Sequence, residues 1–281
     1  ETHTSQRQTI AYHENQAYCK YLLTLTYLSF LHYTICMKIS VIIPCKNESD
    51  TIKVLLNSLV TQSRTADEVI IVVDSESTDD TADVAWEYRD ILPMVVIGSN
   101  GPGVARARNN GAVIAKGDMF IFVDADLKLS PSFISHFEKH IDRRKCTVGS
   151  FTQQMDSKNL IIRLGSRIMN GYMRFMQQTP WPVGFSCLYA SSQAFKLLQG
   201  FDESLYIMED YDLLMRAKGI GCRIKIIDAQ CQSSDRRYRS DCLKQVLRGV
   251  YGEFYRYTHH LRVTKPIYQY NMGGKSMDNG K

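Results

Sequence analysis

Short apolar runs rich in β-branched residues alternate with segments of helical periodicity between residues 38 and 126, and this alternation constrains the fold more than any other feature. Strands are predicted at 38–44, 68–74, 94–98 and 118–124, and helices at 48–62, 78–89 and 104–117. Strands that are apolar along their whole length and separated by helices are typical of parallel βαβ units. The sequence therefore predicts an α/β fold with a mostly parallel sheet flanked by helices.

Two carboxylates, Asp124 and Asp126, follow the fourth predicted strand and are separated by one residue. Ligands bind at the carboxyl edge of a parallel sheet, and Mg2+ or Mn2+ prefers oxygen ligands while leaving positions open for phosphate. The pair therefore indicates a nucleoside diphosphate site with a divalent cation, although an acidic turn or a helix cap stays open as the alternative. Residues 44–49 contain no glycine, which counts against a dinucleotide-binding or P-loop site.

The charge distribution is uneven, because basic residues clearly outnumber acidic ones from Arg216 onward in a chain of net charge +5. Phosphate groups or acidic lipid headgroups are anionic partners that would suit such a segment, and a solvated basic helix face is the alternative. No nucleic-acid partner is expected, because no zinc-knuckle, helix-turn-helix or RNA-binding aromatic signature accompanies the charge. The eight cysteines form no CxxC pair and predict reduced thiols in a cytoplasmic protein.

The regions before and after the alternating pattern are less informative. Met37 is the first methionine and directly precedes the first predicted strand, so residues 1–36 are interpreted as an upstream extension. Residues 21–37 carry no formal charge but are only marginally apolar against the roughly 20 residues of a bilayer span. A membrane anchor, a signal peptide and an extension without relevance to the fold all stay open. Residues 239–281 are predicted to form a basic, aromatic helical tail.

Residues 159–177 have the periodicity of an amphipathic helix. The apolar arc on a helical wheel contains Leu160, Leu164, Ile168, Tyr172, Phe175 and Met176. Three arginines, Arg163, Arg167 and Arg174, cluster on the other side. Such a helix fits burial against the core with the arginines at the rim, and it equally fits a position on a membrane surface. The sequence leaves both interpretations open.

Four motifs, taken in order, resemble those of the family 2 glycosyltransferases, whose catalytic domain has the Rossmann-like GT-A fold. They are VIIPCKNES at 41–49, IIVVDSESTDDT at 70–81, GVARARNNGAVIAKGDMFIFVDAD at 103–126 and GFDESLYIMEDYDLLMRAKGIG at 200–221. Each motif is weak alone, whereas the ordered set is specific, and the resemblance implies a GT-A catalytic domain over residues 37–238. One departure concerns Asp74, because Ser75 and Glu76 follow it where the family usually has a second acid and a glycine.

The resemblance implies a site for a nucleotide-sugar donor and for Mg2+ or Mn2+. The residues expected around the nucleotide are Pro44, Asn47, Glu48, Asp74, Arg108 and Asn109, with Asp74 accepting hydrogen bonds from the base. Asp126 would coordinate the metal that bridges the diphosphate, and Asp124 would contact the ribose or the metal. Helix capping by Glu48 and a contact of Asn109 within its helix stay open as alternatives.

The resemblance also implies a catalytic pair, Glu209 and Asp210. A neutral sugar hydroxyl is a poor nucleophile, so a carboxylate that accepts its proton is expected, with Asp210 as the base and Glu209 orienting the acceptor. The alternative is that Asp210 only complements the helix dipole. Arg236 and Arg237 resemble an arginine element of some bacterial and archaeal members and are expected to bind the diphosphate, with surface charge as the alternative.

Together these features predict an inverting, metal-dependent hexosyltransferase that transfers a sugar to a glycan or polyprenyl-lipid acceptor. We expect such a protein in the cytoplasm, either free or in peripheral contact with the cytoplasmic face of the membrane. A sugar-1-phosphate nucleotidyltransferase shares the general fold but would need a glycine-rich basic loop after the first strand, which this sequence lacks. A non-catalytic carbohydrate-binding protein is the other alternative, and it would not need both Asp126 and Asp210.

Overall fold

The computed structural model describes residues 37–142, 146–234, 247, 251–252, 254–255, 258 and 263–264. The chain divides into two compact units, Glu1–Met37 and Lys38–Lys281, and every element named below belongs to the second. The predicted extension 1–36, Arg236 and Arg237 lie outside the described residues, as does most of the predicted tail 239–281, in which residues 247, 251–252, 254–255 and 258 are helical. None of the described helices is both long and apolar enough to cross a bilayer.

Strands and helices alternate as far as the acidic pair and become irregular after it. The strands are β1 (Ile39–Cys45), β2 (Glu68–Val73), β3 (Met94–Gly98), β4 (Met119–Val123), β5 (Leu127–Leu129), β6 (Thr147–Asp156), β7 (Cys187–Ser191) and β8 (Arg223–Ser234). The helices are α1 (Ile52–Val60), α2 (Thr81–Trp86), α3 (Val104–Ile114), α4 (Phe133–His140), α5 (Leu160–Met176), α6 (Ser192–Leu197) and α7 (Glu209–Gly219).

The eight strands form one sheet in the order β3-β2-β1-β4-β7-β6-β8-β5. The first four strands in this order are parallel, as the βαβ pattern predicts. Strand β7 is antiparallel to both β4 and β6, while β6 and β8 are parallel and β5 is antiparallel to β8. The sheet is therefore mixed beyond β4, which is the part of the chain where the sequence pattern is irregular.

The close approach of α3 to the sheet sets the position of the residues at its N-terminal end. All residues of β1 and β4 are buried, and α3 packs against β1 and β2 through Gly111. A Cβ at Gly111 would lie 2.5 Å from Cγ2 of Ile42 and 3.1 Å from Cγ2 of Val72, so only a glycine allows this separation. Arg108 lies one turn earlier on the same helix face and is thereby held near the carboxyl ends of the strands.

Helix α5 packs against the rest of the unit through a narrow face. Met173 and Met176 are buried, whereas Leu160, Leu164, Ile168 and Phe175 of the predicted apolar arc are exposed. Burial against the core therefore does not account for this arc.

Cys146 and Cys222 are joined by a disulfide whose Cα atoms lie 4.8 Å apart, which departs from the prediction of reduced thiols throughout. Each cysteine directly precedes one of the parallel strands β6 and β8, and Thr147 pairs with Arg223 in the register of these strands. The two cysteines are neighbours only because of this long-range pairing, which residue spacing does not reveal. The free cysteines of the described residues, Cys45, Cys187 and Cys231, are buried.

Candidate active site

A cavity of about 310 Å3 lies at the carboxyl ends of β1, β2 and β4. The predicted site residues that line it are Pro44, Glu48, Asp74, Arg108, Asp124, Asp126, Glu209 and Asp210. These residues come from four separate motifs and are brought together by the parallel half of the sheet, by α3 and by the start of α7. The position fits the general rule that ligands of α/β sheets bind beyond the carboxyl ends of the strands.

The carboxylate of Asp74 is buried directly after β2 and is held by backbone amides. Its Oδ1 accepts a hydrogen bond from the amide of Glu76 at 2.9 Å, and its Oδ2 accepts one from the amide of Gly103 at 2.8 Å. The ammonium group of Lys46 lies 3.9 Å from Oδ1 and 2.6 Å from Oε2 of Glu76. Asp74 therefore joins the loop after β2 to the start of α3, and its role in base recognition stays a prediction.

Asn47 and Asn109 are not among the residues that line the cavity. The side chain of Asn47, at φ 51°, accepts a hydrogen bond from the amide of Thr78 at 2.8 Å, and so ties the loop after β1 to the loop after β2. The amide group of Asn109 exchanges hydrogen bonds of 2.9 Å with the backbone N–H and C=O of Phe201 and donates another to Glu203. Both residues position loops around the cavity, and nucleotide contacts by them stay a prediction.

Arg108 forms the bridge between the two sides of the cavity. Its side chain is only 4% exposed, and its Nη2 donates to Oδ1 of Asp124 at 2.8 Å while its Nη1 donates to Oε1 of Glu209 at 2.7 Å. The guanidinium also lies 5.2 Å from the ring centre of Phe201. Burial by itself lowers the pKa of Arg108, but the Asp124 and Glu209 carboxylates outweigh burial and raise that pKa above its ordinary value. The guanidinium therefore stays charged, and the sequence predicted only that it flanks the nucleotide pocket.

Glu209 and Asp210 are the first two residues of α7. Met208 precedes them in the left-handed conformation, at φ 69°, and so turns the chain into the helix. Oδ1 of Asp210 accepts a hydrogen bond from the amide of Tyr211 at 2.9 Å. Burial and the neighbouring Glu209 carboxylate raise the pKa of Asp210 well above its ordinary value, against the opposing effect of Arg108. A carboxylate with a raised pKa is a better proton acceptor, which is the property that a general base needs.

Asp124 and Asp126 line the same cavity, on either side of Ala125. Among the described residues, no three Asp, Glu, His or Cys side chains form a group that could hold a metal ion. Two carboxylates nevertheless suit Mg2+ or Mn2+, which keeps several waters and completes its coordination with substrate phosphates. The residues present therefore fit a cation that binds together with a diphosphate, and they do not form a closed cage for one.

The sequence profile of glycosyl transferase family 2 matches residues 40–199, which is more than half of the chain. The chain belongs to glycosyl transferase family 2. The matched range runs from β1 to the end of α6 and includes Asp74, Arg108, Asp124 and Asp126. Glu209 and Asp210 lie beyond it.

Curated relatives match shorter stretches of this family 2 chain. It is 40% identical over 96 residues to the uncharacterized glycosyltransferase YibD of Escherichia coli K12, covering 34% of this chain and 28% of the relative. It is 41% identical over 96 residues to the poly(ribitol-phosphate) beta-glucosyltransferase of Bacillus spizizenii, covering 32% of this chain and 15% of the relative. The matches thus span less than a third of the length of either relative.

Two solved structures have the same fold as this family 2 chain. S. aureus TarS 1-349 in complex with UDP-GlcNAc aligns with a TM-score of 0.56 at 26% identity, over 71% of this chain and 59% of that one. The mannosyltransferase PcManGT from Pyrobaculum calidifontis, in complex with GDP-Man and Mn2+, aligns with a TM-score of 0.58 at 19% identity, over 72% and 58% of the two chains. These alignments confirm the predicted GT-A fold.

The predicted site of this family 2 chain omits several residues that line the cavity, among them Lys46, Ser186, Tyr206 and Met208. Lys46 lies inside the first motif, two residues after Pro44, so its position in that motif was an available signal. Ser186 gave no such signal: it reaches the cavity because β7 pairs with β4, and its carbonyl accepts a hydrogen bond from the amide of Asp124 at 3.1 Å.

Proposed function

We propose that this protein is an inverting, metal-dependent glycosyltransferase that moves a sugar from a nucleoside diphosphate donor to a hydroxyl group of a glycan or a lipid-linked acceptor. The observation that carries the proposal is the convergence of three kinds of group on one cavity. Asp124 and Asp126 are two carboxylates that suit a divalent cation, Asp210 is a carboxylate of raised pKa, and Arg108 holds a fixed positive charge between the two sides.

On the donor side, Asp124 and Asp126 would hold Mg2+ or Mn2+ when the diphosphate is bound. The cation would supply positive charge that stabilises the departing diphosphate. Arg108 fixes the orientation of Asp124 through a charge-assisted hydrogen bond, and Arg236 and Arg237 are expected to contact the diphosphate. The nucleotide sugars in the TarS and PcManGT complexes, and the Mn2+ in the second, support a donor and a cation of these classes.

On the acceptor side, Asp210 would take the proton of the attacking hydroxyl. The hydroxyl oxygen forms the new bond to the anomeric carbon while the bond to the diphosphate breaks, and the proton ends on the carboxylate of Asp210. A single displacement of this kind inverts the anomeric configuration. Glu209 is fixed by Arg108 at 2.7 Å and would accept a hydrogen bond from the acceptor with its remaining oxygen.

The experiment measures release of nucleoside diphosphate from UDP-, GDP- and dTDP-sugars, with and without Mn2+, in the presence of candidate acceptors. We expect Asp126→Asn to abolish metal-dependent release. Asp210→Asn should keep nucleotide binding and lose about 10²–10⁴-fold in transfer, which is the usual contribution of a general base. Asp90→Asn, at a carboxylate that is 87% exposed in a surface ion pair, is the matched control and should behave as the wild type.

Two outcomes would contradict the proposal. Nucleotide binding without turnover, across the whole set of donors and acceptors, would favour a carbohydrate-binding protein. Full activity of the Asp210→Asn variant would remove this carboxylate from the proton transfer, even if the metal dependence is as expected.

A further inference from the structure

Helix α5 presents an apolar face that nothing in the described residues covers. Five side chains on it are between 57% and 75% exposed, namely Leu160, Ile161, Leu164, Ile168 and Phe175. At 100° per residue they fall within an arc of about 100° on the helix. Single exposed apolar residues are ordinary, whereas a contiguous stripe over four turns marks an interaction surface.

The charged side chains of α5 itself are all basic. Arg163 and Arg167 border the apolar arc along one edge, and neither forms an ion pair with any residue that the structure describes. Arg174, further along the same edge, pairs with Asp228 at 3.0 Å. Between Asp156 and Asp202 the chain contains three arginines and two lysines but no acidic residue. The surface therefore suits an apolar partner with an anionic boundary.

The opposite face of α5 packs against the wall of the candidate active site. Met173 and Met176 form a buried cluster with Val183, Tyr211 and Ile226, and this cluster is packed against Phe185 and Met208. Tyr211, Phe185 and Met208 line the cavity. A single layer of side chains therefore separates α5 from the cavity.

A second run of exposed apolar side chains belongs to helical residues of the tail. Leu247, Tyr251 and Phe254 are helical and are between 49% and 65% exposed. Gly252, next to them, is buried, and a Cβ at this glycine would lie 3.0 Å from Cε of Met208. This tail segment therefore packs against a residue that also contacts the α5 cluster.

We infer that α5 binds the surface of an anionic membrane. The helix lies in the plane of the interface, with its apolar stripe at the level of the acyl chains and with Arg163 and Arg167 at the lipid phosphates. A helix with an exposed apolar face and only basic charged side chains is the pattern of interfacial helices, and the tail residues Leu247, Tyr251 and Phe254 are further exposed apolar side chains. The inference does not depend on the proposed transfer reaction, because membrane binding requires no donor and no acceptor.

The test is flotation of the full chain with vesicles of phosphatidylcholine alone and of phosphatidylcholine mixed with phosphatidylglycerol. We expect binding to the mixed vesicles that weakens as salt is added, because surface charges are screened within about 10 Å at 0.1 M salt. Arg163→Gln with Arg167→Gln should weaken binding about 30-fold, because each basic residue near an anionic surface strengthens binding about fivefold.

Leu164→Glu with Ile168→Glu should reduce binding to both kinds of vesicle to the level of vesicle-free controls. Ile91→Glu with Val113→Glu is the matched control, because these two apolar residues are 61% and 83% exposed but lie outside α5. Thermal unfolding should show that both double variants are folded, since all four positions are exposed.

Three results would overturn the inference. Wild-type protein that stays unbound with both kinds of vesicle at low salt would do so, as would equal binding by the wild type and the Leu164→Glu/Ile168→Glu variant. A wild-type dimer in solution that these substitutions dissociate, without any vesicle binding, would instead identify a second copy of the chain as the partner of α5.

Discussion

Arg108→Met removes the cation between Asp124 and Glu209 while keeping an apolar chain of similar length. Glu209 is 11% exposed at its side chain and would be left as a buried carboxylate without its partner, whereas Asp124, at 31%, retains contact with water. Breaking a buried ion pair by removing one partner costs about 3–5 kcal/mol. Nε of Arg108 has no hydrogen-bond acceptor among the described residues, so the substitution also removes a buried donor without a partner. This removal offsets part of the destabilisation, and we therefore expect the free energy of unfolding to fall by about 3 kcal/mol, the lower limit of the range.

The chain provides a matched control two residues away on the same helix. Arg106 pairs with Glu203 at 2.8 Å, but both side chains are more than a third exposed. Exposed pairs of this kind contribute between about 0 and 1 kcal/mol, so Arg106→Met should lower the free energy of unfolding by no more than about 1 kcal/mol. Both variants replace an arginine that lies 2.7–2.8 Å from a glutamate, and they differ in burial and in the second carboxylate, Asp124, that Arg108 contacts.

The free energy of unfolding is obtained from urea titrations at pH 7, followed by tryptophan fluorescence and extrapolated linearly to water. A second variant isolates the charge effect, because adding Glu209→Gln to Arg108→Met removes the unpaired carboxylate. We expect this double variant to recover at least about 1 kcal/mol relative to Arg108→Met alone. A double variant that is no more stable than Arg108→Met, or an Arg108→Met loss no larger than that of Arg106→Met, would refute the argument.

Three further predictions use the same stability measurements. Asn109→Ala should lower the free energy of unfolding by about 2–3 kcal/mol, because it leaves the buried backbone groups of Phe201 without their partner. Asn109 does not line the cavity, so the same substitution should weaken nucleotide binding by far less than this loss of stability. Asp210→Asn should raise the melting temperature at neutral pH, because the folded-state pKa of this carboxylate exceeds its unfolded pKa and its ionisation therefore opposes folding. The gain in melting temperature should vanish near pH 4, about the unfolded pKa, because the carboxyl group is protonated in both states below that pH. Gly165→Ala, at an open helical position, should stabilise the protein by about 0.5–1 kcal/mol, whereas Gly111→Ala should destabilise it by about 1–3 kcal/mol because the new Cβ would overlap Ile42.

The parallel half of the fold could be predicted from the sequence because its signal is local. The residues of β1 and β4 are buried on both faces, so their apolar runs are continuous, and the helices between strands have their own periodicity. The carboxylates at the ends of these strands follow from the same pattern, since the parallel strands bring Asp74, Asp124 and Asp126 to one edge of the sheet. These positions needed no knowledge of contacts between distant parts of the chain.

The remainder could not be predicted because it depends on pairing between distant residues. The hydrogen bond from Arg108 to Glu209 joins positions 101 apart, and no spacing rule relates them. The place of β7 between β4 and β6, which brings Ser186 to the cavity, likewise follows from the packed sheet. The motifs indicated that Asn109 flanks a pocket, but its contacts with Phe201 appear only when the loop after α6 is folded against α3.

The contacts of Met208 relate the catalytic pair to the surface of α5. Met208 turns the chain into α7 directly before Glu209, lines the cavity, and packs against the cluster that contains Met173 of α5. The backbone that positions Asp210 therefore rests on the inner side of the helix whose outer side we infer to bind lipid. A membrane-bound α5 would hold the proposed base within a few side-chain layers of the bilayer surface, where the reactive group of a lipid-linked acceptor also lies. Of the two acceptor classes in the proposed function, this arrangement favours the lipid-linked one.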